Sequence, residues 1–151
     1  MVNATTLYDP AVAPLLASLD EEYRRVYGAV LDGEIGAHEA AEFEPPAGTF
    51  LIARIGHETI AGGGLRRWGD GIADIKRMWT APAHRGRGHA RRILAALEDA
   101  AASLGYRAVR LETGALQTPA LALYRSAGYR RIEPYSVYRD DARCRAFEKR
   151  L

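Results

Sequence analysis

The stretch Ile75 to Leu104 reads IKRMWTAPAHRGRGHARRILAALEDAAASL, and it decides the fold. Ile75 to Thr80 is a strand-like run, and Ala81 to His89 is a short turn carrying Pro82, Gly86 and Gly88. From about His89 the apolar residues Ala90, Ile93, Leu94, Leu97, Ala101 and Leu104 recur at helical spacing, so a helix opens there and closes at Gly105, a left-handed C-cap. Its other face carries Arg91, Arg92, Glu98, Asp99 and Ser103. The first N–H groups of a helix lack internal partners and carry the positive end of its dipole. With Gly86 and Gly88 leaving the backbone accessible, and Arg85, Arg87, Arg91 and Arg92 around the same point, the turn is suited to a phosphate. An ordinary turn with solvated arginines has the same local pattern, so the flanking sequence has to decide.

Upstream, Ile72 to Thr80 is the third strand of a meander. Its first strand is Thr49 to Arg54, followed by a turn at Gly56-His57. Its second is Glu58 to Arg66, and a turn spans Trp68 to Gly71. Gly62, Gly63 and Gly64 within the second strand mark a bulge or a close backbone approach. Before the meander, Thr5 to Tyr8 reads as a short strand. Asp9-Pro10 opens a helix carrying Val12, Leu15, Leu16 and Leu19, and the segment from Asp20 to Tyr27 continues it or starts another. Glu34 to Phe43 reads as a further short helix, and Glu44 to Gly48 as a loop.

Downstream, Arg107 to Thr113 is a strand, so strand, helix and strand form a βαβ unit with parallel strands. A helix from Pro119 to Ala127 stops at Gly128. Strands follow at Tyr129 to Ile132 and Cys144 to Lys149, separated by loop. The fold class is α/β of mixed α+β character: an antiparallel N-terminal meander joined to a parallel βαβ core and flanked by helices, in one domain over residues 1–151.

Composition excludes several classes. With 48% hydrophobic and 26% charged residues the chain is an ordinary globular one. No run approaches the roughly 20 apolar residues of a membrane span. The N-terminus shows no secretory pattern, and Cys144 as sole cysteine permits no internal disulfide, which suits a cytoplasmic setting. The histidines are scattered without zinc spacing, so no metal is expected. A net charge of +2 is too small to argue for nucleic acid; the local arginine excess suits a small anion.

Arg85-Gly86-Arg87-Gly88-His89-Ala90 fits an Arg/Gln-x-x-Gly-x-Gly/Ala signature. Ala120-Leu121-Ala122-Leu123-Tyr124-Arg125-Ser126-Ala127-Gly128-Tyr129 fits an A-x-x-x-Y-x-x-x-G-F/Y motif, and Leu111-Glu112-Thr113-Gly114 lies between them. In this order and spacing they resemble the GCN5-related N-acetyltransferases, the GNAT superfamily, over the whole chain. The resemblance implies a GNAT-type mixed sheet and an acetyl-CoA-dependent N-acetyltransferase acting on the primary amine of a small molecule, such as an amino acid or polyamine. A non-catalytic acyl-CoA-binding module and a protein N-terminal or lysine acetyltransferase remain alternatives.

The resemblance also assigns residues. Residues 85 to 90 (Arg85, Gly86, Arg87, Gly88, His89, Ala90) would take the pyrophosphate. Backbone groups at Met78 and Thr80, with Trp79 between them, would pair with the pantetheine amides in a splay between parallel strands. Tyr124 would be the general acid for the departing thiolate. Asp74, then Glu112, are candidate bases. Glu21, Glu22 and Tyr27 on the early helices would border the acceptor. Gln117 stands where many members carry Asn, with the same amide chemistry on a longer arm. A homodimer is left open.

Overall fold

The computed structural model describes residues 2–27 and 40–151. The elements are β1 (Val2–Thr5), α1 (Ala13–Tyr27), β2 (Thr49–Ile55), β3 (Glu58–Gly69), β4 (Ile72–Thr80), α2 (His89–Ser103), β5 (Ala108–Gly114), α3 (Thr118–Ser126), β6 (Arg130–Ile132) and β7 (Cys144–Arg150). Among the described residues seven strands form one sheet in the order β1-β2-β3-β4-β5-β7-β6. The β4–β5 pair is parallel and the other pairs are antiparallel. The meander and the βαβ unit are thus present as expected, with β7 inserted between β5 and β6.

Alternation along β2 divides the core between the two faces of the sheet. Phe50 and Ile52 pack with Val12, Leu15, Leu19 and Phe43 on the α1 face. Leu51 and Ala53 join Ile93, Leu94 and Leu97 of α2 and Tyr124 of α3 on the other. Burying each large aliphatic side chain contributes roughly 1.5–3 kcal/mol.

Toward the N-terminus the structure differs from the sequence reading. The first strand is Val2–Thr5, not Thr5 to Tyr8. Thr5 Oγ1 donates to Asp9 Oδ2 and Asp9 N donates to the Thr6 carbonyl, so the chain turns there. Asp9 does act as a cap, accepting from Ala11 N at 2.9 Å, but on a single 3-10 turn at Pro10–Val12 ahead of α1. The helix expected from Glu34 falls mostly outside the described residues; Ala40–Phe43 is a 3-10 turn.

The glycine run in β3 marks a close approach, and the bulge beside it falls on β4. Register jumps from Gly62 opposite Trp79 to Gly64 opposite Lys76, so Arg77 and Met78 together face Gly63 in a bulge of β4. Arg77 takes φ of 60° there. A Cβ at Gly62 would lie 2.5 Å from Leu15 Cδ1 and 2.8 Å from the Leu51 carbonyl oxygen. Gly62→Ala is therefore expected to cost roughly 1–3 kcal/mol, read as a fall in Tm of about 2–4 °C per kcal/mol. An unchanged Tm would contradict this packing.

Candidate active site

The site begins where β4 and β5 separate. Their ladder ends at Ile75 opposite Leu111, although β4 runs to Thr80 and β5 to Gly114. β3 follows β4 outward to the Ala61–Thr80 pair, and β7 follows β5 to the Gly114–Cys144 pair. Each diverging strand thus keeps a partner on its outer side. Between them lies a cleft of about 960 Å³, lined from α1 through both strands to α2 and α3.

Met78, Trp79 and Thr80 line one side. The Trp79 side chain is 7% exposed and its Nε1 donates to Ser18 Oγ at 2.9 Å, so it ties α1 to β4. The Thr80 carbonyl accepts from Arg85 Nε at 3.1 Å, while Thr80 Oγ1 is buried with no hydrogen-bond partner among the described residues.

Gly86, Gly88, His89 and Ala90 line the far end, where α2 starts. Gly86 and Gly88 have φ of 76° and 83°, and a Cβ at either would meet no atom within 4 Å, so the demand for glycine is conformational. No side chain caps α2, so its first N–H groups remain available to an anion. Arg85 lines the cleft and bridges to Glu22 Oε2 on α1 at 3.0 Å; Arg87 is exposed and lies outside the lining. The His89 pKa is lowered by burial, then by Arg92, His84 and Arg87.

Tyr124 of α3 is 5% exposed and faces the cleft. Burial, and then Tyr23, raise its pKa well above that of an ordinary phenol. Gln117 also lines the cleft, at the N-cap of α3, where it makes no side-chain capping bond.

The two carboxylates suggested as bases occupy different surroundings. Asp74 is 1% exposed and does not line the cleft. It accepts from Tyr135 Oη at 2.7 Å and Arg66 Nη1 at 3.2 Å, with Lys76 Nζ at 3.6 Å. Glu112 does line the cleft. Its Oε2 accepts from the N–H groups of Tyr135 and Ser136, at 2.8 and 3.2 Å, and from Cys144 Sγ at 3.3 Å. Its Oε1 is buried with no hydrogen-bond partner among the described residues. Of the early-helix residues, Glu22 lines the cleft and Glu21 is exposed outside it. Tyr27 ends α1, and its side chain lies outside the described residues.

Sequence reasoning missed Lys76 and Cys144. Lys76 lines the cleft as Glu112 does, and its signal was alternation: polar residues at 74 and 76 on either side of Ile75. Cys144 was visible only as a lone cysteine, because its approach to Glu112 depends on β5–β7 register. Among the described residues no group of His, Cys, Asp and Glu could hold a metal ion, and no helix is long and apolar enough to cross a membrane.

The residues fit acetyl-CoA on these grounds: uncapped N–H groups for phosphate, strand edges facing a gap, and a buried phenol beside it. The Acetyltransferase (GNAT) family model matches residues 14–129. A protein of Azospirillum brasilense named IAA acetyltransferase is 30% identical, the match covering 100% of both chains. The solved structure of a Klebsiella pneumoniae protein assigned as an acyl-CoA N-acyltransferase is 26% identical, with TM-score 0.81 over 100% of this chain and 97% of that one. The PaiA N-acetyltransferase of Thermoplasma acidophilum, solved in complex with coenzyme A, shares the fold at 15% identity, with TM-score 0.74 over 100% of this chain and 99% of that one.

Burial, then the charge of Glu112 and the hydrogen bond to it, push the Cys144 thiol up to about 12, with Lys76 opposing. At pH 8 it is therefore protonated, and iodoacetamide is expected to alkylate it about 100-fold more slowly than free cysteine. Glu112→Gln should accelerate the reaction, as followed by intact mass. A wild-type rate equal to that of free cysteine would contradict the packing of Glu112 on Cys144.

Proposed function

Because this chain belongs to the GNAT family of N-acetyltransferases, we propose that it moves the acetyl group of acetyl-CoA to the primary amine of a small molecule by direct attack on the thioester. The observation that carries this reading is the separation of β4 from β5 beyond Ile75 and Leu111, with Tyr124 and the uncapped start of α2 opening onto the same cleft. Acetyl-CoA supplies an activated acetyl group; the chain has to hold it, accept a proton from the amine and return one to the sulfur. The coenzyme A held by the Thermoplasma acidophilum relative supports the choice of cofactor.

Binding falls to the N–H groups of Gly86 to Ala90 for the pyrophosphate and to the backbone of Met78 and Thr80 for the pantetheine amides. Arg85 engages the Thr80 carbonyl and Glu22. It would release the carbonyl as the pantetheine arm takes its place.

The proton path runs from Glu112 to Tyr124. An amine with pKa near 10.4 is mostly protonated at pH 7, and neutralising it costs roughly 4–5 kcal/mol. Glu112 Oε1 can take that proton, while the three donors on Oε2 fix the carboxylate in place. Asp74 instead holds Tyr135, whose N–H steadies Glu112. Nitrogen then bonds to the acetyl carbon as the carbon–sulfur bond breaks, and Tyr124 donates its proton to sulfur. The excess proton on the new amide nitrogen restores the Tyr124 hydroxyl through water, and Glu112 releases its proton to solvent. The burial that raises the phenol pKa also penalises a thiolate beside it, so the two groups stay matched.

Release of free thiol from acetyl-CoA over a panel of amines tests this reading. Tyr124→Phe should lower kcat about 10²-fold or more while acetyl-CoA still raises the Tm. Undiminished activity in that variant would remove Tyr124 from the mechanism. Silence across the panel with no Tm shift would overturn the cofactor itself.

A further inference from the structure

We propose that the acceptor is an amino carboxylate: Lys76 and Arg77 hold its carboxylate while its amine faces Glu112. The proposal rests on the acetyl-transfer reading above and narrows it.

The bulge in β4 is the starting observation. In a regular strand Lys76 and Arg77 would point to opposite faces of the sheet. Here both project to the α1 face. Lys76 Nζ lies 3.6 Å from Asp74 on that face, and the Arg77 guanidinium carbon sits 4.8 Å above the Phe43 ring, within the α1-side core. Met78 turns instead toward α2, where a Cβ on Gly63 would meet its sulfur. A positive φ at a non-glycine residue is strained, and such strain gathers at functional sites. Its consequence in this chain is two adjacent cations lining the cleft.

Their position relative to Glu112 is set by register. Ile75 and Leu111 form the last parallel pair. Lys76 and Glu112 are therefore the first residues on either side of the gap, on the same face. Lys76, Arg77 and Glu112 line the cleft, and Arg66, Glu42 and Asp74 lie behind them. Arg66 is shared between Glu42 and Asp74, and Asp74 also takes Tyr135 and Lys76. Glu22, across the cleft, is bridged to Arg85. The charges at the gap are divided, with adjacent cations on β4 and the buried Oε1 of Glu112 on β5.

A divided wall complements a ligand divided in the same way. A polyamine would place a second ammonium against Lys76 and Arg77, a like-charge contact that costs affinity. A carboxylate there gains charge-assisted hydrogen bonds from an ammonium and from a planar guanidinium. Its amine, one or a few bonds away, then reaches across the gap to Glu112.

The test compares matched acceptors on the wild-type enzyme by thiol release: α-amino acids, their carboxamides and their decarboxylated amines. The amino acid is expected to exceed both counterparts in kcat/KM by about tenfold or more, because a site built for a polar group rejects analogues lacking it. Lys76→Met and Arg77→Gln should each reduce that ratio through KM, with the Tm shift given by acetyl-CoA intact. Wild-type preference for carboxamides or simple amines overturns the proposal and leaves acetyl transfer standing. No release with any amino acid also overturns it, and loss of the acetyl-CoA Tm shift would take the acetyl-transfer reading with it. The wild-type ratio decides the matter even if a variant fails to fold.

Discussion

The parallel ladder between β4 and β5 stops at Ile75 and Leu111, while both strands run on for several residues. Two parallel strands that part leave backbone donors and acceptors facing a gap, and unpaired buried backbone groups are costly. The chain meets that cost from the outside. β3 continues to pair with β4 and β7 with β5, so each diverging strand has one satisfied edge and one free edge. The free edges suit the amides of an extended ligand. The βαβ crossover then brings the start of α2 to one end of the gap, and the helix after β5 brings Tyr124 to its side.

Beneath the point where β4 and β5 part lies a row of charges set by the same register. Arg66, Asp74, Arg110, Glu148 and Arg130 occupy paired positions on β3, β4, β5, β7 and β6. Arg66 bridges Asp74, and Glu148 bridges Arg110 at 2.6 Å. The Arg110 guanidinium lies 4.9 Å from the Tyr135 ring centroid, and Tyr135 meets Trp68 edge-on. These pairs are partly buried, so removing one partner leaves the other charge poorly compensated. The row anchors the loop after β6, and Tyr135 connects it to the site: hydroxyl to Asp74, N–H to Glu112.

What could be read from the sequence was local. β4 spans Ile72–Thr80 and α2 starts at His89, as periodicity and the glycine turn indicate, because strand and helix repeats differ clearly over such lengths. The parallel pairing followed from the crossover rule. The insertion of β7 between β5 and β6 left no local trace, since pairing between separated segments is set by the whole core. The resemblance pointed to Asp74 and Glu112, but which carboxylate meets the cleft depends on Arg66 and Tyr135, which come from other segments. The glycines of β3 announced a close approach, yet nothing in Lys76-Arg77-Met78 alone shows that Arg77 would carry the positive φ.

A crystal structure with acetyl-CoA bound tests the central claim most directly. The account predicts the pantetheine arm between β4 and β5, the pyrophosphate on the N–H groups of Gly86 to Ala90, and the thioester sulfur within hydrogen-bonding reach of the Tyr124 hydroxyl. A cofactor seated elsewhere, or a β4–β5 ladder that continues past Ile75 and Leu111 in the bound state, would contradict it.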